Sequence, residues 1–146
     1  MGSKTDAFET SILQHIFQNS AITNIGDAAG VLGSSGAGSL FVALYTTNPS
    51  DSASGTETSY TNYARVAVAR TAGTWTVTSG SATNASAVTF AQCGTTGATL
   101  TGFGINKASG VNVADCLYWG ALGSNLTVST GITPEFAAGA LGITED

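Results

Sequence analysis

Apolar and polar positions alternate along residues 64–70: Val66 and Val68 point one way, Arg65, Ala67 and Ala69 the other. A period of two places one face of a strand on a core. Ala72-Gly73 then reads as a turn, and Trp75 with Val77 resumes the alternation, so residues 64–78 are expected to form a hairpin. The chain opens on a different spacing. Phe8, Ile12, Leu13, Ile16 and Phe17 recur at helical intervals and make one apolar stripe over residues 6–18. Asp6 and Glu9 stand at capping-box spacing, and Asn19-Ser20 supplies a stop. Such a stripe needs cover, from the chain's own sheet or from a neighbouring subunit.

Leu40-Phe41-Val42-Ala43-Leu44-Tyr45 is apolar on both faces and is expected to be a central strand ended by Asn48-Pro49. Further strands are read at 87–90, at 99–106 with Phe103 and Ile105 on one face, and at 111–122, the longest. In that last strand Leu117 and Trp119 oppose Tyr118 and Leu122; Leu126 and Val128 belong to the next, and residues 140–144 close the chain. Short strands at roughly ten-residue spacing, parted by Gly, Ser and Asn clusters, predict a mainly β fold. The expected form is a β-sandwich or jelly-roll-like single domain with an N-terminal α-helix. By composition the chain divides into residues 1–38, the helix and a Gly/Ser-rich arm, and residues 39–146, the β-sandwich. The arm, broken by Val31-Leu32, is too long for a simple connection and is expected to make contacts between subunits. Gly33-Ser34-Ser35-Gly36-Ala37-Gly38 is no phosphate loop, because it precedes a strand and no Lys-Ser/Thr follows it.

Charge sharpens the picture. Only 9% of residues are charged, against about 25% in ordinary soluble proteins. A surface so poor in charge suits a subunit partly covered in an assembly. The net charge of −5 comes without a basic stripe, so direct nucleic-acid binding is not expected. There is no apolar run long enough for a membrane span and no signal pattern, which points to assembly in a cytoplasm.

Candidate chemistry is sparse, and no catalytic residue, cofactor or metal is expected. Cys93 and Cys116 form no C-x-x-C pair and cannot complete a zinc site with the single His15. They read as small buried hydrophobes, with a disulfide as the alternative. Asp51 and Glu57 read as solvated loop acids rather than a metal or acid/base pair. Arg65 and Arg70 are expected to pair with loop acids or with the next subunit. No Gly-x-Ser-x-Gly elbow exists. Asn84-Ala85-Ser86 and Asn125-Leu126-Thr127 match the glycosylation sequon, which means little without a secretory route. Trp75 and Trp119 lie in alternating strands, where core packing is the first reading and stacking on sugars the second.

Several segments together resemble a family of small bacteriophage virion structural proteins, often labelled phage tail fibre protein and in part similar to capsid decoration (cement) proteins. They are Leu40 to Pro49, Glu57 to Val68, Trp75-Thr76-Val77, Val88-Thr89-Phe90, Leu117 to Leu122 and Pro134 to Leu141. The resemblance implies a non-enzymatic role on the virion surface. The expected function is a cement protein bridging major capsid subunits, with a tail fibre, baseplate or adaptor component as the alternative and a carbohydrate-binding module behind it. A homo-oligomer is expected, a trimer first, formed in the host bacterial cytoplasm. The residues assigned to subunit or capsid contacts are Phe8, Ile12, Leu13, Ile16, Phe17, Val31, Leu32, Arg65 and Arg70.

Overall fold

The computed structural model describes residues 4–110 and 115–145. The protein is mainly β, with one helix near its N-terminus and several antiparallel sheets, an architecture compatible with a β-sandwich. Two compact units are built from interleaved stretches of chain. The first takes Met1–Ser39, Ala69–Ala87 and Ala137–Asp146; the second takes Leu40–Val68 and Val88–Phe136.

In the first unit the helix α1 spans Asp6–Gln18, as its apolar spacing predicts. Its N-cap is Thr5 rather than Asp6: the Thr5 hydroxyl accepts from the Phe8 N–H. Glu9 therefore falls one position too late to complete a capping box. Asn19, in the left-handed conformation that ends many helices, stops α1. The helix packs on β4 (Trp75–Thr78) and β5 (Ser81–Asn84). These two strands form a hairpin with Trp75 opposite Asn84 and Thr78 opposite Ser81, and β10 (Gly142–Thr144) adds to the far side of β5.

This pairing corrects the expected hairpin. The strand that carries Val66 and Val68, β3 (Val66–Ala69), pairs with β1 (Ser39–Thr47) and not with β4. Between β3 and β4 the Thr74 hydroxyl bonds back to Ala69 O, and the Thr74 and Trp75 N–H groups both bond to Thr71 O. That closed turn separates the strands instead of pairing them. The tight turn lies one step later, at Ser79-Gly80, where both residues have positive φ, 48° and 70°. Asn84 ties the unit together. Its buried amide donates to Ser86 O and Ala137 O and accepts from the Leu141 N–H.

In the second unit β1 is the central strand its two-sided apolarity predicts. One side takes β7 (Ala98–Asn106), and the other takes β2 (Thr56–Glu57) as well as β3. β7 in turn pairs with β8 (Cys116–Val128), the last strand of this sheet. The strands expected at 111–122 and 126–128 are thus one, interrupted where Leu100–Gly102 of β7 faces Ala121–Leu126; residues 111–114 lie outside the described residues. A small sheet joins β6 (Val88–Thr89) to β9 (Glu135–Phe136). The interior is an aromatic chain, Tyr60–Tyr63–Phe90–Phe136–Phe103, with centroids 5.3 to 6.3 Å apart and mostly edge-to-face.

Candidate interaction surface

The charged side chains of the second unit's interior are held internally. Glu57 and Arg65 form an ion pair with side chains only 6% and 2% exposed. Arg65 Nε reaches Glu57 Oε1 at 3.0 Å and Nη2 reaches Oε2 at 2.7 Å, the bidentate fork; Nη1 donates to Ala108 O at 2.7 Å. The Tyr63 hydroxyl donates to Glu57 Oε1 at 2.7 Å and accepts from the Leu44 N–H. Burial disfavours the charge on Arg65, but the hydrogen bonds and charge of Glu57 outweigh this and raise its pKa. Burial also raises the hydroxyls around it. Tyr45 is pushed up to about 12, by burial first and then by Cys116, while Tyr60, Tyr63 and the Cys116 thiol are raised chiefly by burial as well. Glu57 is therefore not a solvated loop acid; the ordinary reading of Arg65, pairing with an acid, holds.

Among the described residues Arg70 has no carboxylate partner, and it instead closes the C-terminal end of α1. Its Nε donates to Ile16 O at 2.6 Å, Nη2 to His15 O at 2.7 Å and Nη1 to Ala37 O at 3.4 Å. A cation over the last helical carbonyls satisfies groups the helix cannot. Of the apolar stripe, Leu13 and Phe17 are fully buried, Phe17 edge-on to Trp75 at 4.7 Å, while Ile12 and Ile16 are half-buried and Phe8 is exposed. Val31 and Leu32, with Ile25, are exposed on the 22–38 segment, whose first ten residues are closed into a loop by an Ile22–Val31 bridge. Cys93 and Cys116 are both free thiols, so the disulfide alternative does not apply.

The two tryptophans part company. Trp75 is fully buried, as expected, but Trp119 is 43% exposed. The reason is local. Trp119 sits directly opposite Gly104, which has no side chain to cover it. On the next pair Gly120 faces Phe103, whose ring lies where a Cβ on Gly120 would stand, 2.8 Å away. An extra residue in β8 at Leu117, between the Ile105–Tyr118 and Asn106–Cys116 pairs, turns Cys116 onto the same face as Trp119. Both line a cavity of about 320 Å³ whose other wall is the β1–β2 connection, Pro49 to Ser54. That connection is closed by the Ser50 N–H to Ala53 O bond of 2.7 Å and by Gly55. Gly55 has φ 66°, and a Cβ there would meet Thr47 O at 2.4 Å. Asp51, Ser52 and Ser54 are left exposed around the opening. Sequence reasoning missed this pairing of loop and tryptophan; the legible signal was the glycine on the neighbouring strand, but only a known register reveals it.

Among the described residues no three His, Cys, Asp or Glu side chains converge on one point, and no helix is long and apolar enough to cross a membrane. Interior charges in matched hydrogen bonds and apolar side chains displayed on strand and loop describe a β-rich structural module. More particularly, the chain belongs to the family described as Podophage GP4 fiber I protein gp80, whose model matches residues 3–144. This is a phage virion structural family, in line with the resemblance read from the sequence. Comparison with curated proteins gave no match.

Proposed function

We propose that the protein is a non-enzymatic fibre subunit of a podophage-type particle and that it works by assembly with further copies of itself and with other virion proteins. The observation that carries this reading is the family match over residues 3–144 to a fibre protein. Two surfaces support it. β8 is the outer strand of its sheet, and from Cys116 to Val128 it carries no charged side chain. An edge of that kind is a template for another strand. A chain of net charge −5 repels its own copies, so copies approach most easily across an uncharged strip. The second surface is the 22–38 segment with Ile25, Val31 and Leu32, together with Phe8. Leu13, Phe17, Arg65 and Arg70 contribute indirectly, by holding the helix and the sheet in place. A homotrimer remains the first oligomer to test.

Capsid decoration makes the same use of an uncharged surface but places the protein on the shell, against the major capsid protein. The copy number per purified particle, measured by mass spectrometry against the major capsid protein, decides between them. A few to a few tens of copies is the expected result. Hundreds, near parity with the capsid subunit, overturns the fibre assignment in favour of decoration, and absence from the particle overturns both.

A further inference from the structure

We infer that the cavity between Trp119 and the 49–54 loop is a saccharide site for a neutral hexopyranose unit. The inference stands on the geometry of the second unit and does not rest on the fibre assignment. Three features of the cavity point to this chemistry.

The first is the platform. Trp119 is the exposed tryptophan, and an indole face is the natural partner for the apolar C–H face of a pyranose ring. The second is the opposing wall. Asp51, Ser52 and Ser54 present a carboxylate and two hydroxyls on a connection whose own turn is closed by Ser50 and Ala53. Sugar hydroxyls both donate and accept, and a carboxylate beside serine hydroxyls answers both needs. The third is size. About 320 Å³ lies at the small end of ligand sites, which run from about 300 to 1,000 Å³, and suits one or two rings rather than a long chain.

Charge sets the class of sugar. Among the described residues Asp51 is the one charged side chain lining the cavity, and the protein as a whole carries −5. A uronic or sialic acid would bring a second carboxylate to this opening and is disfavoured; neutral hexoses and N-acetylhexosamines are favoured. The rest of the molecule offers weaker candidates. The hollow lined by Leu100, Leu122, Leu126 and Phe136 is mostly apolar, with Glu135 Oε2 already accepting from the Thr89 hydroxyl. The Glu57–Arg65–Tyr63 cluster is closed to solvent.

The test titrates the full chain with glucose, galactose, mannose, N-acetylglucosamine and their short oligomers, following tryptophan fluorescence. Trp75 is buried and serves as a constant background. A saturable change is expected for at least one neutral sugar, with Kd on the order of 0.1–1 mM for so small a contact. Trp119→Ala is expected to weaken binding at least about tenfold with an unchanged melting temperature, while Trp119→Phe keeps most of it because a stacking face remains. Asp51→Asn is expected to lose about tenfold for neutral sugars and to narrow the discrimination against glucuronic acid. No saturable change by fluorescence or calorimetry with any sugar overturns the inference, as does a Trp119→Ala variant that binds like the parent. Tighter binding of acidic than neutral sugars overturns the assignment of Asp51.

Discussion

The strand that carries Trp75 and the strand that carries Trp119 are both outer strands of their sheets: β4 ends the order β10-β5-β4, and β8 ends the order β2-β1-β7-β8. Each alternates, and each has a tryptophan on one face. Yet β4 is protected and β8 is not. Over Trp75 lies α1, with Phe17 edge-on to the indole, and Gln18 Nε2 donates to Trp75 O at 2.9 Å, satisfying an edge carbonyl. Over Trp119, among the described residues, there is only a short polar loop, and the facing residue is Gly104. Proteins commonly cover or charge their edge strands to prevent unwanted pairing. This chain covers the short one with a helix and leaves the longest one uncharged and open, the arrangement expected if the open edge has partners.

The most direct way to break the comparison is to remove the cover on the closed side. Trp75→Ala should cost about 3–5 kcal/mol, the range for truncating a fully buried aromatic, read as the shift of the urea midpoint. Phe17→Ala should fall in the same range, because it empties the other half of the same contact. A cost below about 1 kcal/mol for either would mean that helix and hairpin are not packed as described.

Openness at β8 is meaningful only if the unit that holds it is firmly built, and the Glu57–Arg65 pair tests that. Glu57→Gln leaves a buried guanidinium without its counter-charge and should cost about 3–5 kcal/mol. Replacing both partners, Glu57→Leu with Arg65→Met, should recover most of the loss, since the desolvation of the two charges disappears together. If the single substitution proved neutral, the pair would be solvated and β8 would be exposed because its unit is loose.

Alkaline pH probes the same unit without mutation. Tyr45, Tyr60, Tyr63 and Cys116 all have raised pKa values, first through burial, so the folded protein holds protons that the unfolded chain releases. Stability from these groups is full below the ordinary thiol value of 9.0 and is lost as the pH rises through the ordinary tyrosine value of 10.0 toward about 12, the Tyr45 value. Urea midpoints should fall steadily between these limits, with phenolate absorbance rising alongside unfolding. Constant midpoints across that interval would show the phenols to be open to water.

The contrast between the two strands also shows where the sequence was legible. The α1 stripe and the two-sided apolarity of β1 were readable because both depend on spacing within one segment. The Asn19 stop was readable for the same reason. Pairing was not. Val66 and Val68 announced a strand, but its partner is β1, which ends at Thr47 with β2 and a loop between, while the nearby β4 turns back on β5. Alternation fixes which residues share a face and leaves open what lies over it. Trp75 and Trp119 look alike along the chain, and the helix over one and the glycine opposite the other belong to distant segments. Glu57 misled for a related reason: it follows a polar Ser/Gly loop, but the short strand it ends, β2, carries it inward to Arg65.

The smallest expected change in stability carries the sharpest test of the open edge. Leu117 is 44% exposed at the extra residue of β8, so the stem of a lysine can keep the covered part in contact while its ammonium reaches water, and Leu117→Lys should alter stability by no more than about 0.5 kcal/mol. Its effect on association should be large by comparison. A lysine is the side chain with which exposed strands are commonly blunted, because pairing would bury its charge without a counter-ion. Sedimentation of the full chain should therefore show the parent as an oligomer and the variant shifted toward monomer at the same concentration. If the variant assembled like the parent, the copies would meet elsewhere, and Ile25, Val31 and Leu32 would be the next residues to charge. If the variant dissociated while its melting temperature stayed that of the parent monomer, β8 would be left open for assembly.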